Sequence, residues 1–232
     1  MSEAGQSSYQ AGLTFIDLLY AVPVADLATR VSKTDLHMSV AGWADVLLAL
    51  IAITFGWIGH HTNRQKMPRA MADHRLEPES PFAGAYFLQF AVEVGIIGAY
   101  FALGIRANLH HVVAATELWK ATWLLAVFAL YFTWDLLDVH IAIKLRNACD
   151  SEAQRLRYAE ATRERLASKA LNSWAEQAKA GRAVTFGFLL VFSAFLVVAL
   201  TGPRVVIAFD IVAIGSLYLY RRVQQFARNE VT

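Results

Sequence analysis

The chain has 232 residues, of which 56% are hydrophobic and 17% charged, and a formal net charge of +2. That balance is too apolar for an ordinary soluble domain of this size and points to lipid, and so small a net charge gives no argument for a nucleic-acid partner. Cys149 is the single cysteine, which excludes an intramolecular disulfide and a cysteine-based metal site. The polar opening lacks the charged segment, short apolar core and small-residue cleavage site of a signal peptide, so none is expected.

A hydrocarbon core about 30 Å thick is crossed by about 20 helical residues. Apolar stretches over 13–29, 38–61, 82–105, 118–143, 183–200 and 205–220 approach or exceed that length. None alternates with the period of two that a barrel strand needs. The expectation is therefore all-α: one membrane domain over 1–232, built as a bundle of six transmembrane helices. Asp17, Pro23 and Asp26 interrupt the first stretch, and Pro203 marks a very short turn that makes the last two helices an antiparallel pair.

Orientation follows from the placement of Lys and Arg between spans. Arg64, Lys66, Arg69 and Arg75 follow the second stretch, a dense basic group occupies 144–182, and Arg221, Arg222 and Arg228 follow the sixth. Arg30, Lys33, Arg106, Lys120 and Arg204 fall on the opposite side. This bias predicts a multi-pass protein of the cell membrane with N- and C-termini cytoplasmic. Trp43, Trp57, Trp119, Trp123 and Trp134 lie toward span ends, where amphipathic rings meet headgroups.

Residues 151–180 differ from the spans. Leu156, Ala159, Leu166, Ala170 and Trp174 recur at helical spacing among Arg155, Arg157, Arg163, Arg165 and Lys169, which describes an amphipathic cytosolic helix between helices 4 and 5. Its partner is either an anionic inner leaflet or a neighbouring helix or subunit; a calmodulin-like target fits less well, because Glu152, Glu160 and Glu164 dilute the basic face.

Ionisable groups inside spans are costly in lipid and face a bundle interior or a water-filled path. Those in the six stretches read as acids: Asp17, Asp26, Asp45, Glu93, Asp135, Asp138 and Asp210, with Lys and Arg at the edges. Such a set favours cations or protons. The competing explanation is structural, with the acids protonated or hydrogen-bonded to Tyr, Thr, Ser and Trp on adjacent helices. Asp17 and Asp26, nine residues apart, fall on opposite faces of a straight helix. Asp135 and Asp138 share a face, as a vestibule pair or a hydrated helix end.

The adjacent pairs His60–His61 and His110–His111 lack the three- or four-residue spacing of helical chelation, so no metal site is expected. No phosphate loop, nucleophile elbow or metalloprotease motif occurs. Neither an enzyme nor a cofactor is expected.

Two segments carry a family resemblance. Phe15-Ile16-Asp17-Leu18-Leu19-Tyr20-Ala21-Val22-Pro23-Val24 resembles the first-helix signature of the transmembrane protein 175 family of potassium channels, a Phe-Ser-Asp followed by an apolar run. Trp57-Ile58-Gly59-His60-His61 is similar to that family's second-helix ending. The resemblance covers roughly the first two spans. It implies a homo-oligomer, a tetramer of six-helix subunits, whose first helices line a pore for monovalent cations. Val22 would fall on the apolar gate, with Asp17 and Asp26 on the same helix, and Asp17 with His60 or His61 would form a polar network holding that helix. Ala11, Ile16, Ala25 and Asp26 depart from the family's Arg, Ser, Thr and Leu. The opening also resembles the Phe-Phe-Asp-Leu start of the low temperature requirement A membrane proteins. The expected function is an oligomeric cation channel, with potassium as the candidate ion, and a proton-coupled transporter or a non-conducting signalling or structural membrane protein as the other readings.

Overall fold

The computed structural model describes residues 3–33, 40–73, 85–105, 115–153, 158–201 and 206–229. These form α1 (Glu3–Lys33), α2 (Val40–Asp73), α3 (Ala85–Ile105), α4 (Ala115–Ala153), α5 (Tyr158–Thr201) and α6 (Val206–Asn229). Among the described residues the chain is all-helical.

Among the described residues, four helices are long and apolar enough to cross a membrane, through Val40–His61, Phe87–Gly104, Glu117–Ser151 and Ser168–Thr201. The other two stretches expected to span, in α1 and α6, are not in this set. α1 carries Asp17, Pro23, Asp26 and Arg30, and α6 carries Asp210, Arg221 and Arg222, which lower their apolar content. Both nevertheless enter the common core. Ile16 and Tyr20 of α1, and Ala213, Leu217 and Tyr220 of α6, bury with Leu48, Ile96, Leu124, Phe128 and Phe192 of the other four helices.

The helices close into a ring. α1 lies against α3, α3 against α4, α4 against α5, α5 against α6, α6 against α2, and α2 against α1, with α2 also touching α3 and α5. Stacked and edge-on rings fill the centre: Phe128 lies 4.5 Å from Phe192 and 4.8 Å from Tyr220 between centroids. Such contacts add specific geometry to the apolar burial.

α4 and α5 form an antiparallel hairpin that is longer than a bilayer needs. At 1.5 Å per residue they extend about 58 and 66 Å, roughly twice the hydrocarbon thickness. One register runs along the pair, from Phe128 beside Phe192, through Phe132 beside Phe186 and Asp135 beside Thr185, to Arg146 beside Asn172. The described part of the expected amphipathic helix over 151–180 is thus not separate from the fifth span but continuous with it in α5. The face that packs on the extension of α4 is not the predicted stripe: Leu171 buries with Cys149 beside Leu145 and Trp174, while Leu166 and Ala170 of the stripe are exposed and Leu156 lies outside the described residues. Burial of one such leucine contributes about 1.5–3 kcal/mol.

Candidate functional site

α2, α4 and α6 start at the same end of the bundle, so residues at like depth on the three helices meet. At the other end they enclose, with α1 and α3, a cavity of about 40 Å³. His60 of α2 and Glu93 of α3 face each other in it, the imidazole Nδ1 against the carboxylate Oε1, both side chains 2% exposed. Tyr20 brings its ring to 6.0 Å from that of His60. The hydroxyls of Tyr100 and Tyr131 lie 2.5 Å apart. Gly56 leaves room for the Tyr100 ring, and Gly59 for the Arg221 guanidinium, whose Nη1 would stand 3.1 Å from an added Cβ.

A chain of hydrogen bonds runs along one side of this cavity, with Arg221, Gln224, Tyr220 and Asp135 in its lining. Arg221 Nη1 donates to Gln224 Oε1 (3.1 Å), and Gln224 Nε2 donates to the Tyr220 hydroxyl (2.9 Å). That hydroxyl is 3.2 Å from Thr185 Oγ1, which donates to Asp135 Oδ2 at 2.7 Å. The Arg221 guanidinium and the Asp135 carboxylate end this chain, and linked hydrogen bonds strengthen one another in a low-dielectric interior. Asp138, one turn along α4, accepts from Gln89 of α3 at 2.5 Å. Both acids are buried. Asp135 and Asp138 therefore serve different helices, and the hydrated helix end among the sequence expectations is not what they form.

α1 is tied to α2 at the same end. Trp57 Nε1 donates to Asp17 Oδ1 at 3.0 Å, and His61 Nε2 lies 3.0 Å from the same oxygen. His61 also meets the Trp57 ring edge-on at 4.7 Å. Of the adjacent histidines, His60 turns inward to Glu93 and His61 outward to Asp17. Asp26 instead pairs along its own helix with Arg30 at 2.8 Å. Val22 packs against neither and is 53% exposed, on the same face of α1 as the exposed Leu18, Ala25 and Thr29. His110 and His111 lie outside the described residues.

The opposite end holds a second ionic cluster. Lys120 Nζ of α4 lies 2.6 Å from Asp45 Oδ1 of α2 and 2.6 Å from Asp210 Oδ1 of α6. Lys120 is 4% exposed: it sits at the start of its span, which begins at Glu117, but is buried there between two acids. The signal was present: Asp45, Lys120 and Asp210 each sit about one to one and a half turns into their helices, and the alternating topology puts those levels together. The tyrosines, Thr185 and Gln224 carried no comparable signal.

Among the described residues, no group of three or more His, Cys, Asp or Glu side chains is placed to hold a metal. Comparison with family models, with curated proteins and with solved structures finds no match for this chain.

Proposed function

We propose that the protein is a homo-oligomeric membrane channel for monovalent cations or protons, with α1 of each subunit beside the common axis. Each subunit then contributes six spans, with both termini cytoplasmic and the distal part of the α4–α5 hairpin in the cytosol. The observation that carries this reading is the two-sidedness of α1. Its inner face is packed into the bundle by Ile16, Tyr20 and Leu27, and Asp17 is held by Trp57 and His61. Its outer face bears Leu18, Val22, Ala25 and Thr29, with the Asp26–Arg30 pair beside them.

A helix with that content is a poor lipid-facing element, because charged and hydroxyl groups are costly in hydrocarbon. Protein or water against the outer face removes the cost, and a ring of copies around an aqueous axis supplies both. Val22 would then give an apolar constriction that opposes ion entry by withholding hydration. Two resemblances of motif point the same way. The test is flux in proteoliposomes under separate potassium, sodium and proton gradients: protein-dependent flux of at least one ion is expected, and none of the three would overturn the reading.

A further inference from the structure

We infer that Asp45, Lys120 and Asp210 form a proton-binding site inside the bundle, in which the carboxyl of Asp210 takes up the proton and the other two groups fix its place. This goes beyond the channel reading and does not require that α1 line a pore, because the three groups belong to three other helices of one subunit.

The site starts from an excess of acid. Lys120 Nζ stands 2.6 Å from an oxygen of each aspartate, and it lies 5.6 Å from the centre of the Phe209 ring, a second contact that favours the charged amine. One ammonium balances one carboxylate and leaves the other. Among the described residues neither aspartate has another basic group within ion-pair distance. The charge left over has neither bulk water nor a cation of its own to offset its desolvation, and a bound proton removes it.

Burial selects which of the two acids takes the proton. Asp210 is 0% exposed and its Oδ2 receives no hydrogen bond among the described residues, whereas Asp45 is 6% exposed. As a carboxylate Asp210 keeps one oxygen dry. As an acid it donates an O–H, and Asp45 lies close enough to accept it, while Asp210 Oδ1 still accepts from Lys120. The cluster is then neutral, with an ammonium, a carboxylate and an acid joined across α2, α4 and α6. The three residues lie about 6–8 Å along their helices from the starts, so the aqueous phase at that end supplies the proton.

The surroundings do not balance the charge. Glu117, one turn before Lys120 on α4, is a further buried acid whose Oε1 has no hydrogen-bond partner among the described residues. α1 packs beside Asp45 through Leu27 against Val46. Its charged groups near this end are Asp26 and Arg30, bonded to each other, and the exposed Lys33. The stretches of α3 and α5 that reach this level, 101–105 and 195–201, carry no titratable side chain.

The experiment uses the full chain in lipid nanodiscs and infrared difference spectra between alkaline and mildly acidic pH. A protonated-carboxyl band that grows as pH falls, shifts in D2O, is lost in Asp210→Asn and persists in Asp17→Asn is expected. In Asp45→Asn, where Lys120 is left to Asp210 alone, the same band should need at least tenfold more protons. Where one of these two variants does not assemble, the other decides. Repeating the titration with sodium or potassium in place of choline asks whether a metal cation is the ligand, and an unchanged midpoint is expected. A band indifferent to either substitution, or a midpoint that moves tenfold with sodium or potassium, would overturn the proposal. No readout here depends on ion flux, so failure leaves the channel reading standing, and the reverse.

Discussion

The ring of Tyr100 occupies the space that a side chain at position 56 would need: a Cβ built on Gly56 comes within 2.4 Å of Tyr100 Cε2 and 2.6 Å of its hydroxyl oxygen. Tyr100 is 2% exposed and its hydroxyl is held by Tyr131, so the ring has little freedom to retreat. Gly56→Ala should destabilise the protein by about 1–3 kcal/mol, as overpacking of a core does. Gly98→Ala, where an added Cβ meets nothing within 4 Å, should leave the melting temperature unchanged or raise it. Thermal unfolding in detergent compares the two.

Lys120 holds two carboxylates together across three helices. Lys120→Met leaves Asp45 and Asp210 buried without their cation, a change that costs about 3–5 kcal/mol at comparable buried pairs. The triple variant Lys120→Met, Asp45→Asn, Asp210→Asn removes the charge imbalance and should recover most of that loss. A triple variant as unstable as the single one would show that the packing of the lysine stem, and not charge compensation, dominates at this end of the bundle.

Val22 and Val198 are matched in exposure, at 53% and 56%, but lie on α1 and α5. Under the channel reading, Val22→Asn should raise basal cation leak in proteoliposomes, because a polar ring wets more readily than an apolar one. Val198→Asn should not. Equal leak from both variants, or none from a well-folded Val22→Asn, would remove α1 from the pathway.

Cys149 is fully buried against Leu171, so its thiol should react slowly with a polar maleimide. Leu171→Ala opens the contact at about 2–5 kcal/mol and should speed labelling at least tenfold. Leu166→Ala, at a site 64% exposed, should not change the rate. Fast labelling of the unaltered protein would mean that the distal ends of α4 and α5 separate in solution.

A reporter fused after Thr232 should be cytosolic if six spans and the basic bias set the orientation. An external reporter would mean an inverted bundle or an odd number of spans, and a second reporter at the N-terminus separates the two.

The sequence by itself determined the helical class and most element positions, because apolar length and the absence of strand alternation are local properties. The third stretch, 82–105, differs from α3 only at its start. It also marked Asp17, His60, His61, Glu93, Asp135, Asp138 and Asp210 as polar groups in apolar surroundings, where each must find a partner. Which partner was a tertiary decision. His60 and His61 are neighbours in the chain, yet their side chains leave α2 in different directions, one to Glu93 and the other to Asp17. Lys120 reads as an edge cation when its own helix is taken alone; only aligning the starts of α2, α4 and α6 brings it level with Asp45 and Asp210. The periodicity of 151–180 did not single out Leu171, the residue that packs on α4 beside Cys149; the register of the continuous α5 against α4 decided which face is buried, and left Leu166 and Ala170 exposed. The Arg221-to-Asp135 chain was invisible for the same reason: it joins three helices through groups that are each unremarkable alone, and only their packing orients donor to acceptor.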